Sequence, residues 1–436
     1  MKGIDLFSDG GQALWTISIA AAASLPCALL GCYLLLRRMS LLGDALSHAV
    51  LPGVVIGFWI SGSTSSGWIF AAAVVVGLLT AVLIQLLHSV GGVTEDASLG
   101  VVFTSMFALG VVMLVKVGPR VDLDVDCVLY GLIESVWLDT QPMLGYEVPR
   151  ALMSVVGVLM LSLAFIGLFW KELKLVSFDP RLATSMGYPA TLVHYLLMGM
   201  VALAVVAGFY AVGSVLVIAM LIVPAATGHL LSDRLVGTMG WAAATAIASS
   251  ILGYFGDLRF ETGMAPMMAV VAGAGFTLAL LLAPRHGLGS RAFHRFRLAL
   301  RIVAEDVVAA LYRTSETDSA ELGLAWRSCL AAGGGGLLAR LAVHVLFWRG
   351  EIGWVADRRV QLTATGRERA ESLVRAHRLW EAYLGENFDL PLDHLHEPAE
   401  RVEHYLGPAL QEQLASELRR ADLDPHGKVI PGSKLS

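Results

Sequence analysis

The chain has 436 residues, 56% of them hydrophobic and only 15% charged, against roughly 25% charged in ordinary soluble domains, which excludes a wholly soluble enzyme. A formal net charge of −5 offers no bulk attraction to nucleic acid. Four cysteines (Cys27, Cys32, Cys127 and Cys329) lack a CxxC pair and suggest neither a disulfide framework nor a thiolate zinc site.

Charge is spread unevenly along the chain. Residues 1–285 hold 12 of the 31 Lys+Arg and 16 of the 36 Asp+Glu, and the remaining 151 residues hold 19 and 20. The first part requires a bilayer, because so few charges cannot cover a globular surface of that size, whereas the second part can stand in water. The run Ala13 to Leu36 is too long for a signal-peptide core and is followed, not preceded, by basic residues (Arg37, Arg38), so it reads as a retained span. Further apolar stretches at 40–60, 67–87, 99–117, 151–169, 192–212, 213–231, 235–255 and 263–283 bring the expected number of membrane helices to about nine. Val128 to Ile133 and the Gly213 junction are candidates for half-helices or re-entrant segments. Basic residues follow the first, fifth, seventh and ninth spans (Arg37/Arg38, Lys171/Lys174/Arg181, Arg234, Arg285/Arg291), which the positive-inside rule places in the cytoplasm together with the C-terminal part.

On this topology the segment Arg120 to Arg150 is an external loop whose Asp122, Asp124 and Asp126 read first as solvated charge and second as a cation-concentrating entrance. Inside, Lys171 to Pro189 is a polar interruption long enough for a short helix that docks a cytoplasmic partner. From Gly289 the pattern becomes amphipathic. A helix at Arg301 to Tyr312, a turn TSETDS, the glycine run Gly333 to Gly336, and a ribbon at Glu351 to Leu362 ahead of a further helix suggest a winged-helix arrangement. The expected divisions are a membrane domain at 1–288, a degenerate winged-helix-like region at 289–370 and a metal-binding and dimerisation region at 371–436.

The first chemical constellation is RRMSLLGDALSHAVLPG, Arg37 to Gly53. Asp44 and His48, spaced i, i+4, share one helix face and can hold one cation together. Ionisable groups inside a membrane cost at least ~2.5 kcal/mol each on insertion scales and mark ion pathways; the alternative is a neutral hydrogen-bonded pair tying helices together. A carboxylate and an imidazole, with few further ligands, bind a metal weakly enough to release it. His194 and His229 read as packing or surface residues, with a role as exit ligand as the alternative. No GxxxxGK(S/T) loop occurs, so this chain does not cradle a nucleotide.

This motif resembles the membrane permease of ABC importers for zinc, manganese and iron. TEDASLGVVF (Thr94 to Phe103), VSFDPRLATSMG (Val176 to Gly187), VGSVLVIAMLIVPAATGHLLSD (Val212 to Asp233) and APRHG (Ala283 to Gly287) are similar to that family in order and spacing. The resemblance implies a homodimeric, non-enzymatic permease in a bacterial cytoplasmic membrane, receiving a divalent metal from an extracytoplasmic binding protein and driven by a separate ABC ATPase. It implies that Asp44 and His48 coordinate the passing ion and that Phe178, Asp179, Pro180 and Arg181 couple to the ATPase.

The C-terminal part contains HRLWEAYL, HLHEPAERVEHYL and DPHGKVIPG. His396, Glu400, Glu403 and His404 fall at i, i+4, i+7 and i+8, one stripe of a helix, and His377 and Glu381 form a further i, i+4 pair; a charged solvated helix is the alternative. These segments resemble the metal-binding and dimerisation domain of the diphtheria-toxin-repressor family, iron- and manganese-dependent regulators. The resemblance implies one metal site at His377, Glu381 and His396 and another at Glu400, Glu403 and His404, with Asp306 a further ligand. It also implies a missing ligand at Ala309, where the manganese type has an acid. A carboxylate at position 400, where iron-type members have cysteine, favours Mn(II), with zinc or iron as alternatives. The glycine run stands where an ordered helix–turn–helix core is expected. Arg327, Arg340, Arg349, Arg358 and Arg359 are scattered and balanced by acids, so DNA is not an expected partner. The repressor family carries a small barrel after the DPHG-like segment, which is not expected here, where the sequence runs to Ser436.

The leading expectation is thus an all-α polytopic permease of ABC-importer type with a fused, mainly α metal sensor that regulates transport. The competing readings are a membrane-tethered metal-dependent DNA-binding regulator and an ion-driven secondary transporter, the latter leaving VSFDPRLATSMG without a partner.

Overall fold

The computed structural model describes residues 10–39, 41–62, 67–117, 133, 140–143, 146–316, 323–355, 359–388, 391, 394–419 and 421–432. It divides into two compact units, residues 1–290 and 291–436. Cys127, the DLDVD segment, nearly all of Val128 to Ile133, and Arg358 lie outside the described residues.

In the first unit, eight helices among the described residues are long and apolar enough to cross a membrane, and a ninth apolar helix, Val215–Leu231, is shorter. Helix α1 (Gly10–Leu36) runs through the centre, with Ile19, Leu30, Tyr33 and Leu34 fully buried. The stretch expected at 40–60 is one span divided at Val50 into α2 (Leu42–Ala49) and α3 (Leu51–Ser61), because Pro52 in the first turn of α3 has no N–H to continue the ladder. Helices α4 (Gly67–Ser89) and α5 (Glu95–Val117) follow. The expected loop between spans contains an antiparallel hairpin, β1 (Thr140–Met143) with β2 (Tyr146–Pro149). Then come α6 (Arg150–Leu168), the short pair α7 (Trp170–Phe178) and α8 (Pro180–Ser185), and α9 (Ala190–Val212).

At Gly213 the chain takes φ 86°, which side chains disfavour, and starts α10 (Ser214–Leu231) as a separate helix. Helices α11 (Leu235–Phe260) and α12 (Met264–Leu282) complete the unit. Helix α1 packs against α6, α9, α10 and α11. The α1–α10 contact is close because Gly31 lies directly against the Leu221 carbonyl, where a Cβ would overlap it.

Helix α13 (Leu288–Ser315), all but its first three residues in the second unit, is longer than the helix expected at Arg301 to Tyr312. Then come β3 (Leu324–Ala325), α14 (Trp326–Ala332), α15 (Gly336–Trp348), β4 (Ile352–Val355) and β5 (Arg359–Leu362), with strand order β3-β5-β4, all antiparallel. The axes of α14 and α15 meet at 113°, the angle of a helix–turn–helix. The glycine run therefore forms this motif's turn instead of interrupting it: Gly334, Gly335 and Gly336 have φ of 74°, 72° and 76°, values at which any side chain is strained. Helix α16 (Ala364–Asn387) is capped by Thr363, whose hydroxyl accepts from the Gly366 N–H. It is followed by α17 (His396–Val402), a 3-10 turn (Glu403–Tyr405) and α18 (Pro408–Glu417).

Candidate metal sites

Helix α2 buries Leu42, Gly43, Ala45, Leu46 and Ala49, which leaves Asp44 and His48 on its remaining face. His48 Nε2 lies 3.5 Å from Asp44 Oδ1, and both side chains stay partly open. The imidazole is braced by Phe103 and Phe107 of α5, with ring centroids at 5.6 and 5.9 Å. The result is an oxygen and a nitrogen donor side by side on an apolar span.

His194 and His229, the two expected as packing or surface residues, take different positions. His194 is held at both nitrogens: Arg37 Nη1 donates to Nδ1 at 3.0 Å, and Nε2 bonds Gln85 Oε1 at 2.9 Å. Its ring is thereby fixed within a buttress that also includes Ser177, hydrogen-bonded to Arg37 Nε. His229 is exposed near the end of α10.

Asp179 separates α7 from α8. Its extended backbone stops the first helix, and its Oδ1 caps the second by accepting from the N–H groups of Arg181 and Leu182, both at 3.0 Å, with Pro180 at the first helical position. The turn presents Phe178, Leu182 and Met186 to the outside. The FDPR motif thus builds a sharp corner with an exposed aromatic at its tip.

In the second unit the donors expected from sequence gather in groups. His377 Nε2, Glu381 Oε1 and His396 Nδ1 form a triangle with edges of 3.1, 2.9 and 2.9 Å. Edges of about 3 Å suit one metal roughly 2.0–2.2 Å from each atom. A second group joins Asp306, Glu403 and His404, with Asp306 Oδ1 3.3 Å from His404 Nε2. The groups touch through His377, whose Nδ1 is 2.5 Å from Glu403 Oε2. A third set, Glu381, Asp424 and His426, shares Glu381 with the first.

Glu400 belongs to none of these groups and is exposed. The expected single helical stripe is broken because α17 gives way to a 3-10 turn at Glu403. There Glu403 and His404 are drawn inward by His377 and Glu305, and Glu400 stays on the outer surface. Sequence reasoning missed Glu305. One turn before the buried Ala309 on α13, it reaches His404 Nδ1 at 2.8 Å and also accepts from Arg301 and Arg369. A carboxylate on Nδ1 leaves Nε2 free to face a metal. The i−4 spacing from Ala309 to Glu305, on the face that carries the missing acid, was the available signal.

The electrostatics follow from this pairing. Burial disfavours a charge on His404, but its bonds to Asp306 and Glu305 outweigh that and raise its pKa from 6.5 to about 9. Burial likewise opposes charge on His377, and Glu381 and Glu403 reverse the balance, so its pKa is raised. Burial works to raise the Glu381 carboxyl, yet His377 and His396 hold it down at about 2. The two groups are held as proton-bridged ion pairs, and a divalent cation would bind there only by displacing the shared protons.

The helix–turn–helix carries a different kind of surface. Trp326, Phe347 and Trp354 stack together, with Trp354 centroids 5.3 Å from Trp326 and 4.9 Å from Phe347. The outward face of α15, where a DNA reader carries polar groups, exposes Leu337, Leu341 and Trp348 beside Arg340 and His344.

Residues 12–283 match the family model described as the ABC 3 transport family, and residues 363–432 match the iron dependent repressor, metal binding and dimerisation domain. The chain is 42% identical over 275 residues to the manganese transport system membrane protein MntD of Bacillus subtilis, covering 63% of this chain and 93% of that one. It is 39% identical over 307 residues to the zinc transport system membrane protein TroD of Treponema pallidum, covering 70% and 84%. Among solved structures, PsaBC from Streptococcus pneumoniae in complex with Fab aligns with a TM-score of 0.56 at 31% identity, covering 65% of this chain and 96% of that one.

Proposed function

Because the chain belongs to the ABC 3 transport family and carries an iron-dependent-repressor metal-binding domain, we propose that it is the permease subunit of an ATP-driven divalent metal importer whose fused domain senses internal metal and restrains transport. The observation that carries the transport half is the Asp44–His48 pair on α2. A carboxylate on an apolar span requires compensation, and a passing cation between two subunits supplies it. Manganese is the favoured cargo, since hard O/N donors suit it and MntD is named as a manganese system; TroD, named for zinc, keeps that metal open.

The chain functions as a homodimer, receives metal from an extracytoplasmic binding protein, and presents the Phe178–Asp179–Pro180–Arg181 corner to a cytoplasmic ATPase. The basic residues at the ends of α1, α6–α8 and α12 support a cytoplasmic location for this corner and for the second unit. Regulation is a population shift: metal at the His377 and His404 groups favours one arrangement of the paired C-terminal domains, and that arrangement alters ATPase engagement. Uptake of radioactive Mn(II) into proteoliposomes holding the permease and its ATPase is expected to vanish with Asp44→Ala or His48→Ala. With residues 289–436 removed, it is expected to lose its sensitivity to internal Mn(II). Undiminished uptake in the variants, or equal rates with and without the domain at every internal Mn(II) level, overturns the respective half.

A DNA-binding role is the second reading, and the helix–turn–helix with its wing is the feature that favours it. The apolar outward face of α15 weighs against base reading. A gel shift of upstream DNA by the full chain, with and without Mn(II), decides between the two readings.

A further inference from the structure

A guanidinium withdrawn from water needs a counter-charge, and none of the partners of Arg37 is negative. Its Nε donates to Ser177 Oγ at 3.2 Å and its Nη1 to His194 Nδ1 at 3.0 Å. The remaining nitrogen, Nη2, is buried and has no hydrogen-bond partner. A guanidinium keeps its proton, so the charge stays, and a buried charged donor left unmatched is costly. His194 does not relieve it. Since its Nδ1 accepts from Arg37, its proton sits on Nε2, which donates to Gln85 Oε1 at 2.9 Å. The ring is neutral and acts as a strut that holds the guanidinium in place.

Arg37 lines a cavity of about 880 Å³ at the ends of α1 and α4, beside α7, α8 and the start of α9. That volume far exceeds the roughly 30 Å³ of one water molecule and falls within the usual range of ligand sites. Arg38, just past α1 with a left-handed backbone at φ 61°, lines the same cavity, as do Arg181 of α8 and His88 of α4. The Gln85 amide adds a neutral donor, because its oxygen is taken by His194. Among the described residues no carboxylate lines this cavity. Asp179, the acid closest in sequence to Arg181, has its Oδ1 engaged by the Arg181 and Leu182 N–H groups. Three guanidiniums without an acid form a surface of donors, and the fork of an arginine matches the oxygens of a phosphate.

We propose that this cavity binds an anionic phosphate group, with Arg37 Nη2 as the anchoring donor and Arg38 and Arg181 completing the charge. The group is carried by an anionic phospholipid headgroup or by free phosphate. Once bound, it joins α1, through Arg37 and Arg38, to α8, through Arg181, and stiffens the FDPR corner. Its bearing on transport rests on the reading of that corner as the ATPase contact; the binding itself does not.

The test uses the full chain in three kinds of nanodisc sample: phosphatidylcholine alone, phosphatidylcholine with phosphatidylglycerol, and phosphatidylcholine with inorganic phosphate in the buffer. Hydrogen–deuterium exchange is read at α7 and α8 with no ATPase present, so the result is separate from coupling. Slower exchange with phosphatidylglycerol but not with inorganic phosphate supports the site with a headgroup as the source. Slower exchange with inorganic phosphate supports it with the free anion. Titrating the effective additive gives an apparent affinity, which Arg37→Gln is expected to abolish. Because Arg37 also holds Ser177 and His194, the deciding variant is Arg38→Gln with Arg181→Gln, which keeps that strut intact. It should lose about tenfold or more in affinity, the worth of a charge-assisted hydrogen bond, at an unchanged melting temperature. Equal exchange in all three samples, or a double variant protected as the parent is, overturns the proposal.

Discussion

Replacing Glu305 by alanine removes the acceptor of three charged donors at once: Arg301 Nε at 2.9 Å, Arg369 Nη2 at 3.0 Å and His404 Nδ1 at 2.8 Å. Hydrogen bonds to charged groups contribute about 1.5–3 kcal/mol each, but the three losses are unequal. Arg301 is more than half exposed and returns to water, so its share is about 0–1 kcal/mol. Arg369 keeps its Nη1 shared between both Glu351 carboxylate oxygens at 2.9 and 2.7 Å, and loses about 1 kcal/mol. The buried His404 forfeits the partner of its Nδ1–H, about 2 kcal/mol. The total is about 3–4 kcal/mol, and hydrogen–deuterium exchange at α13 and the 3-10 turn is expected to report it as faster opening. Loss of the carboxylate also unlocks the tautomer that turns Nε2 toward the ligand group, so Mn(II) affinity should fall by about 10–100-fold in a chelator competition. Glu305→Gln, which keeps an acceptor oxygen for His404, should recover part of the affinity. An alanine variant with parental exchange and parental Mn(II) affinity refutes the orienting role.

Three further outcomes are expected. The His404 pKa is raised from 6.5 to about 9; its stabilisation of the metal-free domain is therefore complete below the unfolded value and is lost as pH rises through about 9. Because metal displaces that proton, Mn(II) affinity should climb with pH from 7 to about 9, by about tenfold per unit for each proton released, and then level off; calorimetry in buffers of different ionisation heat checks it, and a flat profile contradicts it. Asp179→Ala removes the cap of a six-residue helix and costs about 1 kcal/mol. Permease-stimulated ATP hydrolysis should drop while the chain still inserts, and unchanged stimulation argues against the corner as a coupling element. Gly31→Ala forces α1 away from the Leu221 carbonyl, an overpacking of about 1–3 kcal/mol. The melting temperature of the solubilised chain should fall, while Gly240→Ala, which meets nothing within 4 Å, should leave it unchanged or raised.

The membrane half was legible because a bilayer imposes a one-dimensional rule. Each crossing needs an apolar length, and Gly213 stood out at the junction of α9 and α10, whereas the break at Val50 ahead of Pro52 in the second span emerged only from the structure. The i, i+4 pairs Asp44/His48 and His377/Glu381 were readable on the same footing, since neighbours on one helix need no tertiary information.

The composition of the ligand groups was not readable in this way. His404 meets Glu305 across 99 residues and His377 meets Glu403 across 26, and helical periodicity carries no information about such distances. It assigned Glu400 to a stripe that the 3-10 turn at Glu403 dissolves, and it passed over Glu305 because a carboxylate on a charged helix looks solvated until the packing of α13 against the turn buries it. Residue types and helical faces are local properties of the chain, and sequence alone determined them. Which oxygen and nitrogen atoms converge within metal-binding distance depends on how separate helices pack, and only the tertiary structure decided that.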